Sequence, residues 1–589
     1  MFPKTTHIHI FTLATLLQAC SSPLSERSIH KNSLFENPES LDSFAPNAIS
    51  PIDIEPFTYP NPTTSTVEES LSERMSELVL LDPAGSNAGW DVQLGYNLHK
   101  NQAEAIELSL REALLFSAEH NLDVKLTKLQ PLIGAEATVA SDAAFDFIFG
   151  AEVSLNDTNT PQQQIVVGGN PVNSAESKSD QLVGGLSLVK QLYSGGKFSL
   201  STDLIKTKNE GNGTVYSPDP AWQAIGSIDY TQPLLRNFGE EFARSQIYLA
   251  EISYAQNFED LREALHSTIK QTEHSYLNLA LQWKTLQIKT WLLKEGVRVE
   301  NLLKLRRDYD TGEADYAQAV ATVQQRRADV INQQSLVQKS SDTLKQLMNS
   351  PTCPVESEDV IQPKGPISAT EISISFREAV LTALQNRPDL QKLLLSIDSE
   401  SIRVDVAENA TLPQLDLQTQ MSFYGLGDNA GDGYEEVFNT DYINYLAGLS
   451  FEIPLGNRAA SANYTSARLQ KLSAVTTYKK GIQTAIIEIK SALRDIVTNA
   501  ALMGANRDFR IAQTENLRAL TVEEETMAGL TPTFLNLKLQ TQSGLASSKI
   551  AEFNSIIEYN KAIASLYEAM GTTLLVRGIE FNKNEQLLP

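Results

Sequence analysis

Leu108-Ser109-Leu110-Arg111-Glu112-Ala113 returns further along the chain as Ile374-Ser375-Phe376-Arg377-Glu378-Ala379, an offset of 266 residues (375 − 109). The same offset carries Asn121-Leu122-Asp123 onto Arg387-Pro388-Asp389, and an amphipathic helix is predicted to run on from each start. The chain reads as a tandem duplication. In each copy the helix leads into a stretch of period-2 alternation. Phe145, Phe147, Phe149, Ala151, Val153 and Leu155 oppose Asp146, Glu152, Ser154 and Asn156 in the first, and Leu415, Leu417, Met421 and Phe423 oppose Asp416, Gln418, Gln420 and Ser422 in the second. Such strands have one oily and one wet face.

A returning strand ends at Thr231-Gln232-Pro233-Leu234-Leu235 in the first copy and at Glu452-Ile453-Pro454-Leu455-Gly456 in the second. Proline has no ladder donor, so Pro233 and Pro454 are read as strand-to-helix transitions. Beyond them lie long stretches nearly free of Pro and Gly, about Glu240 to Asp310 and Asn457 to Met527. As helices of about 70 residues they would reach on the order of 100 Å and would have to pack side by side. Each rod stops at a glycine. Gly529 suits a left-handed C′ position, Thr531 an N-cap and Pro532 the first helical residue. Gly312 is expected to play the same part in the first copy, with Asp315 and Gln318 as a weaker cap.

The copies are unequal upstream of the prolines, with 123 residues (233 − 110) in the first and 78 (454 − 376) in the second. The surplus carries its own hairpin signal about 182–206. Leu186 and Leu188 precede the turn Ser194-Gly195-Gly196-Lys197, after which Phe198, Leu200 and Leu204 alternate with Ser199, Ser201 and Asp203. Four strands are therefore expected in the first copy and two in the second.

Among 589 residues there are only 2 Cys, 7 His and 4 Trp, which disfavours disulfide and zinc frameworks. A formal net charge of −24 disfavours a nucleic-acid binder, whose affinity rests on cationic contacts to phosphate. Lys4, the mostly apolar run Ile8 to Leu17 and the segment Leu17-Gln18-Ala19-Cys20-Ser21 resemble a bacterial lipoprotein signal, with Cys20 as the lipidated residue. From Ser21 to about Gln102 the chain is rich in Ser, Pro, Asn and Glu and reads as a flexible tether. The resulting plan is a signal at 1–20, a tether at 21–102, a first repeat at 103–350, a linker at 351–370, a second repeat at 371–575 and a tail at 576–589.

One-sided strands with no apolar helix of 18 or more residues suggest an outer-membrane barrel, and so few strands cannot close one alone. Helix, strand, strand, long helix and helical hairpin, duplicated, resembles the TolC-like outer membrane efflux family. The Leu-Arg-Glu-Ala start, Thr231-Gln-Pro-Leu-Leu235, Pro454-Leu-Gly-Asn-Arg458 and the Gly529-centred turn carry that resemblance, which covers roughly Leu108 to Leu575. It implies a mainly α fold with a membrane β-barrel portion: a homotrimer with a shared barrel, usually of four strands per protomer, above a trimeric α-barrel tunnel. It also implies that the hairpin tips, Thr311, Gly312, Glu313, Ala314 and Asp315 with Ala528, Gly529, Leu530, Thr531 and Pro532, face a periplasmic adaptor protein tied to an inner-membrane pump. Many members narrow the tunnel with acidic residues just beyond the second tip, where this chain has Asn536 and Lys538, the candidate inner gate.

Rival readings are weaker. No Gly-x-Ser-x-Gly, His-Glu-x-x-His or phosphate-cradling glycine loop appears, so neither catalysis nor a cofactor or metal is expected. A surface lipoprotein with a coiled-coil stalk would have no need of strands as oily as Leu415 to Phe423.

Overall fold

A computed structural model describes residues 57–58, 65–80, 92–161, 163–171, 174–210, 217–307, 312–365, 367–369, 372–526 and 531–579. The first copy consists of helices α1 (Leu110–His120) and α2 (Leu122–Asp142), strands β1 (Phe147–Pro161), β2 (Glu176–Gln191), β3 (Lys197–Glu210) and β4 (Ala221–Pro233), the long helix α3 (Ser245–Arg306) and its return α4 (Glu313–Met348). The second consists of α5 (Phe376–Asn386), α6 (Pro388–Asn409), β5 (Gln414–Gly427), the short helix α7 (Ala430–Asn439), β6 (Ile443–Glu452), the long helix α8 (Arg458–Thr526) and α9 (Pro532–Ala569).

The repeated serines start both copies. Ser109 accepts a hydrogen bond from the Glu112 N–H while the Glu112 carboxylate accepts from the Ser109 N–H, and Ser375 accepts from the Glu378 N–H. Corresponding positions then turn inward: Ala113 and Ala379 are both fully buried, as are Ser117 and Ala383. Around them the first copy packs Tyr276, Trp283, Leu286, Leu344 and Met348, and the second packs Ile489, Ile496, Tyr559, Ile563 and Leu566. Trp283 Nε1 donates to the Ile361 carbonyl at 2.9 Å, which satisfies the one polar atom of that large side chain.

With 62 and 69 residues, α3 and α8 reach on the order of 90–100 Å. They pack laterally, α3 against α2, α4, α6 and α9, and α8 against α6 and α9. All six strands form one open antiparallel sheet in the order β6-β5-β4-β3-β2-β1.

Three sequence expectations change. Part of the expected tether is structured: Ser65 and Glu68 form a capping box, and Glu68 and Arg74 pair with Arg507 and Glu515 of α8. Farther on, Gln334 and Gln338 of α4 donate to the backbone carbonyls of Gln93 and Leu94. Composition hid this because its buried apolar anchors, Leu78 and Leu94, stand isolated among polar residues, and polar side chains fasten the rest. The expected linker 351–370 contains the strand Val360–Pro363, parallel to Ala105–Leu108. In the expected tail, Arg577 forms an ion pair with buried Glu273.

Candidate functional site

The strands build a wall with two unlike faces. Directly opposed residues in an antiparallel ladder point the same way, so the register joins Phe149, Leu188, Leu200, Ile228, Met421 and Tyr445 into one row across all six strands. One residue along, on the opposite face, lies the row Gly150, Ser187, Ser201, Ser227, Ser422 and Asn444. The Ser201 and Ser227 hydroxyls hydrogen-bond at 2.7 Å. The oily face is bare along the β1 edge, where Phe149 is 68% exposed and Leu155 81%. Its inner margin carries Phe147 with the Lys190 ammonium 4.2 Å from the ring centroid, and its outer margin carries Trp222 with Lys206 at 5.2 Å. Beyond Leu155 that face turns charged, with Asp157, Lys178, Asp180 and Lys208 grouped together. From Phe147 to Leu155 the oily run measures roughly 26 Å along the strand, and close to 20 Å when tilted as barrel strands are. The apolar band of an outer-membrane barrel is roughly 25 Å tall, a little more than this run. Among the described residues no helix is long and apolar enough to cross a membrane.

Below the wall are the prolines. Pro233 is the last residue of β4, facing Asp416 of β5, and Pro454 stands between β6 and α8. Gly456 and Asn457 follow with φ of 90° and 37°, turning the chain into the rod.

At the far ends of the rods the structure describes part of each tip. Thr311, Ala528, Gly529 and Leu530 lie outside the described residues, as does Cys20. Thr531 is the N-cap of α9, accepting from the Phe534 N–H at 3.2 Å, with Pro532 at the first helical position. Gly312 differs from expectation. It is extended, with φ −68° and ψ 147°, and sits at the N-cap of α4 with no side-chain cap; neither Asp315 nor Gln318 supplies one. Glu313 is clasped by Arg307 instead, Nε to Oε1 at 3.0 Å and Nη2 to Oε2 at 2.9 Å, and Ala314 is exposed in the first turn of α4.

Residues 380–525 match the family model described as outer membrane efflux protein. Over this segment of the second copy the chain is similar to that family. The fold of the chain is similar to that of the Campylobacter jejuni CmeC outer membrane channel, with 16% identity over 79% of this chain and 86% of that one and a TM-score of 0.57. It is also similar to the Neisseria gonorrhoeae MtrE outer membrane channel in its open state, at 16% identity, 79% and 89% coverage and a TM-score of 0.55. The outer membrane protein VceC from Vibrio cholerae gives 14%, 78% and 96%, and 0.54. No curated protein matches the sequence.

Two features of the structure escape the sequence pattern. Lys538 is only 2% exposed, its ammonium paired with Glu524 of α8, which Arg298 of α3 also approaches at 3.5 Å. The charge is spent within the chain. Asn536 donates instead to Asp315 Oδ1 at 3.4 Å, linking the two hairpins. Between them, Val299, Leu303, Ala319, Leu535 and Leu539 form an apolar cluster. Deeper in, the buried Arg326 guanidinium donates to the carbonyls of Leu292 and Leu539, and burial lowers its pKa to about 10.

The second feature is α7, which folds back onto the oily face over β4 and β5. Asn429 caps it by accepting from the Asp432 N–H, and Tyr434 OH meets Thr202 Oγ1 at 3.1 Å. Val437 packs over Gly226, and a side chain at Gly425 would strike the Gly433 carbonyl. A side chain at Gly427 would come within 2.7 Å of the Gly433 nitrogen. The glycines let helix and sheet touch backbone to backbone.

Proposed function

We propose that the protein is the outer-membrane channel subunit of a tripartite efflux or type I secretion system, a passive export conduit that does no chemistry. The observation that carries this reading is the six-stranded wall, oily and exposed on one face and wet on the other, continuous with helical rods long enough to cross a periplasmic space. Its β1 and β6 edges have unpaired backbone groups, which hydrocarbon does not tolerate, so the protein works as a homotrimer in which three sheets share one barrel and the rods one tunnel. Lipidation of Cys20 adds an anchor in outer-membrane lipid. The tips at Thr311–Asp315 and Ala528–Pro532 meet a periplasmic adaptor protein, and an inner-membrane pump supplies the energy. The Asn536–Asp315 contact holds the hairpins together at the inner end.

Purified full-length protein reconstituted in planar bilayers is expected to give discrete conductance steps. A preparation with intact helicity by circular dichroism but no steps would favour a non-transporting stalk.

A further inference from the structure

The extra hairpin of the first copy, β2 and β3, is woven into the middle of the sheet. β1 pairs with β2 and β4 with β3, and β1 has no ladder to β4. Removing the hairpin in thought leaves β1 without a neighbour. Its side chains also continue both faces unbroken, contributing Leu188 and Leu200 to the oily row and Ser187 and Ser201 to the serine row. A hairpin projecting from a mouth would have no reason to keep both rows in register.

The turn of this hairpin is seated on the top of the helical body. Gly195, at φ 86°, lies so close to the Asn237 carbonyl that a side chain would collide with it. Ser194 Oγ donates to Gln232 Oε1 at 2.7 Å, and Gln232 Nε2 donates back to the Ser194 carbonyl at 3.0 Å. The Tyr193 ring packs on Phe145 with centroids 4.6 Å apart and carries the Arg244 guanidinium 5.3 Å away. The turn therefore occupies the same level as the strand-to-helix transition at Pro233, where a wall strand would reverse.

We infer that each protomer contributes six strands to the shared wall, so that three copies close an antiparallel barrel of eighteen strands above a tunnel with the usual number of rods. The inference rests on the trimeric channel reading above. Strand direction permits the closure: with six antiparallel strands in sequence, β1 and β6 run in opposite senses, so β1 of one copy meets β6 of the next as an antiparallel pair. Barrel diameter grows roughly linearly with strand number. Relative to a wall built from four strands per protomer, the opening is about one and a half times as wide, and its narrowest part lies below it, among the rods. The occupant of each open edge is another copy of this chain.

The test uses the full-length protein in native outer membranes, with single cysteines along the hairpin. Ser187→Cys and Ser201→Cys are expected to react with a membrane-impermeant maleimide, whereas Leu188→Cys and Leu200→Cys react with a lipid-soluble one alone. Imaging of the trimer in lipid nanodiscs is expected to show eighteen wall strands. Uniform labelling of all four positions by the impermeant reagent, or a twelve-stranded ring with the hairpin projecting, overturns the inference and leaves the channel reading standing. A protein that forms no channel and no trimer removes both.

Discussion

Single residues in this protein are constrained most tightly where backbone meets backbone or charge is buried. Gly425 is one such place: Gly425→Val drives a side chain into the Gly433 carbonyl, and overpacking of this kind costs about 1–3 kcal/mol. The expected result is release of α7 from the sheet, read as new protease cleavage within 430–439. Another is Glu273, 3% exposed at its side chain and paired with Arg577. Burial raises the Glu273 pKa while Arg577 opposes the shift. Arg577→Ala strands the carboxyl without its cation, a loss of about 3–5 kcal/mol, and adding Glu273→Gln is expected to recover much of it in thermal unfolding. His266 gives the pH dependence. Burial, reinforced by Arg262, lowers its pKa from 6.5 to about 4, and its Nδ1 has no hydrogen-bond partner among the described residues. Between those values the unfolded chain takes up a proton that the folded one refuses. The His266 contribution is complete above pH 6.5 and is lost as pH falls toward 4. In His266→Leu the melting temperature is expected to lose that part of its slope across the window.

At the scale of elements, the tips are held by few interactions, so their caps matter. Thr531→Ala removes the acceptor for the Phe534 N–H, worth about 1 kcal/mol. Amide exchange in the first turn of α9 is expected to quicken about fivefold while exchange near Tyr559 stays unchanged. Equal protection in the variant would mean that packing of Leu535, rather than the cap, holds the turn. The Thr531-Pro532 signature was legible in the sequence because capping is local chemistry. The same reasoning placed Gly312 in a left-handed turn, yet it is extended and Arg307 does the fastening. A glycine does not announce which of its permitted conformations is used. The short α7 was illegible for a related reason, since glycines that serve tertiary contact carry no helical period. The position of Lys538 beyond the second tip made it a candidate for the gate, and only its contact with Glu524 of a neighbouring rod shows where its charge goes.

At the scale of the whole molecule, the alternation of oily and wet residues was readable because a strand states its two faces in every second residue. Beyond the 182–206 hairpin, which strand neighbours which was not, because pairing is non-local. The six-strand order supplies it, and with it the charge of the wet face. Stepping residue by residue from the serine row puts Glu152, Asp203, Asp229, Asp416 and Glu452 on that face, against Lys197. In the proposed trimer, three copies around one axis would multiply this imbalance, and a conduit lined by one sign of charge concentrates counter-ions. The channel is therefore expected to prefer cations. In a bilayer separating unequal KCl concentrations, the reversal potential should take the sign of K⁺ permeation, and it should shrink as the salt is raised, because the Debye length falls from about 10 Å at 0.1 M to about 3 Å at 1 M. Asp203→Asn with Asp229→Asn removes two of the five carboxylates per protomer from the middle of the wall and should move the reversal potential toward zero without changing strand pairing. An unaltered potential in that variant would place the selecting charges among the rods, leaving the barrel as an unselective vestibule.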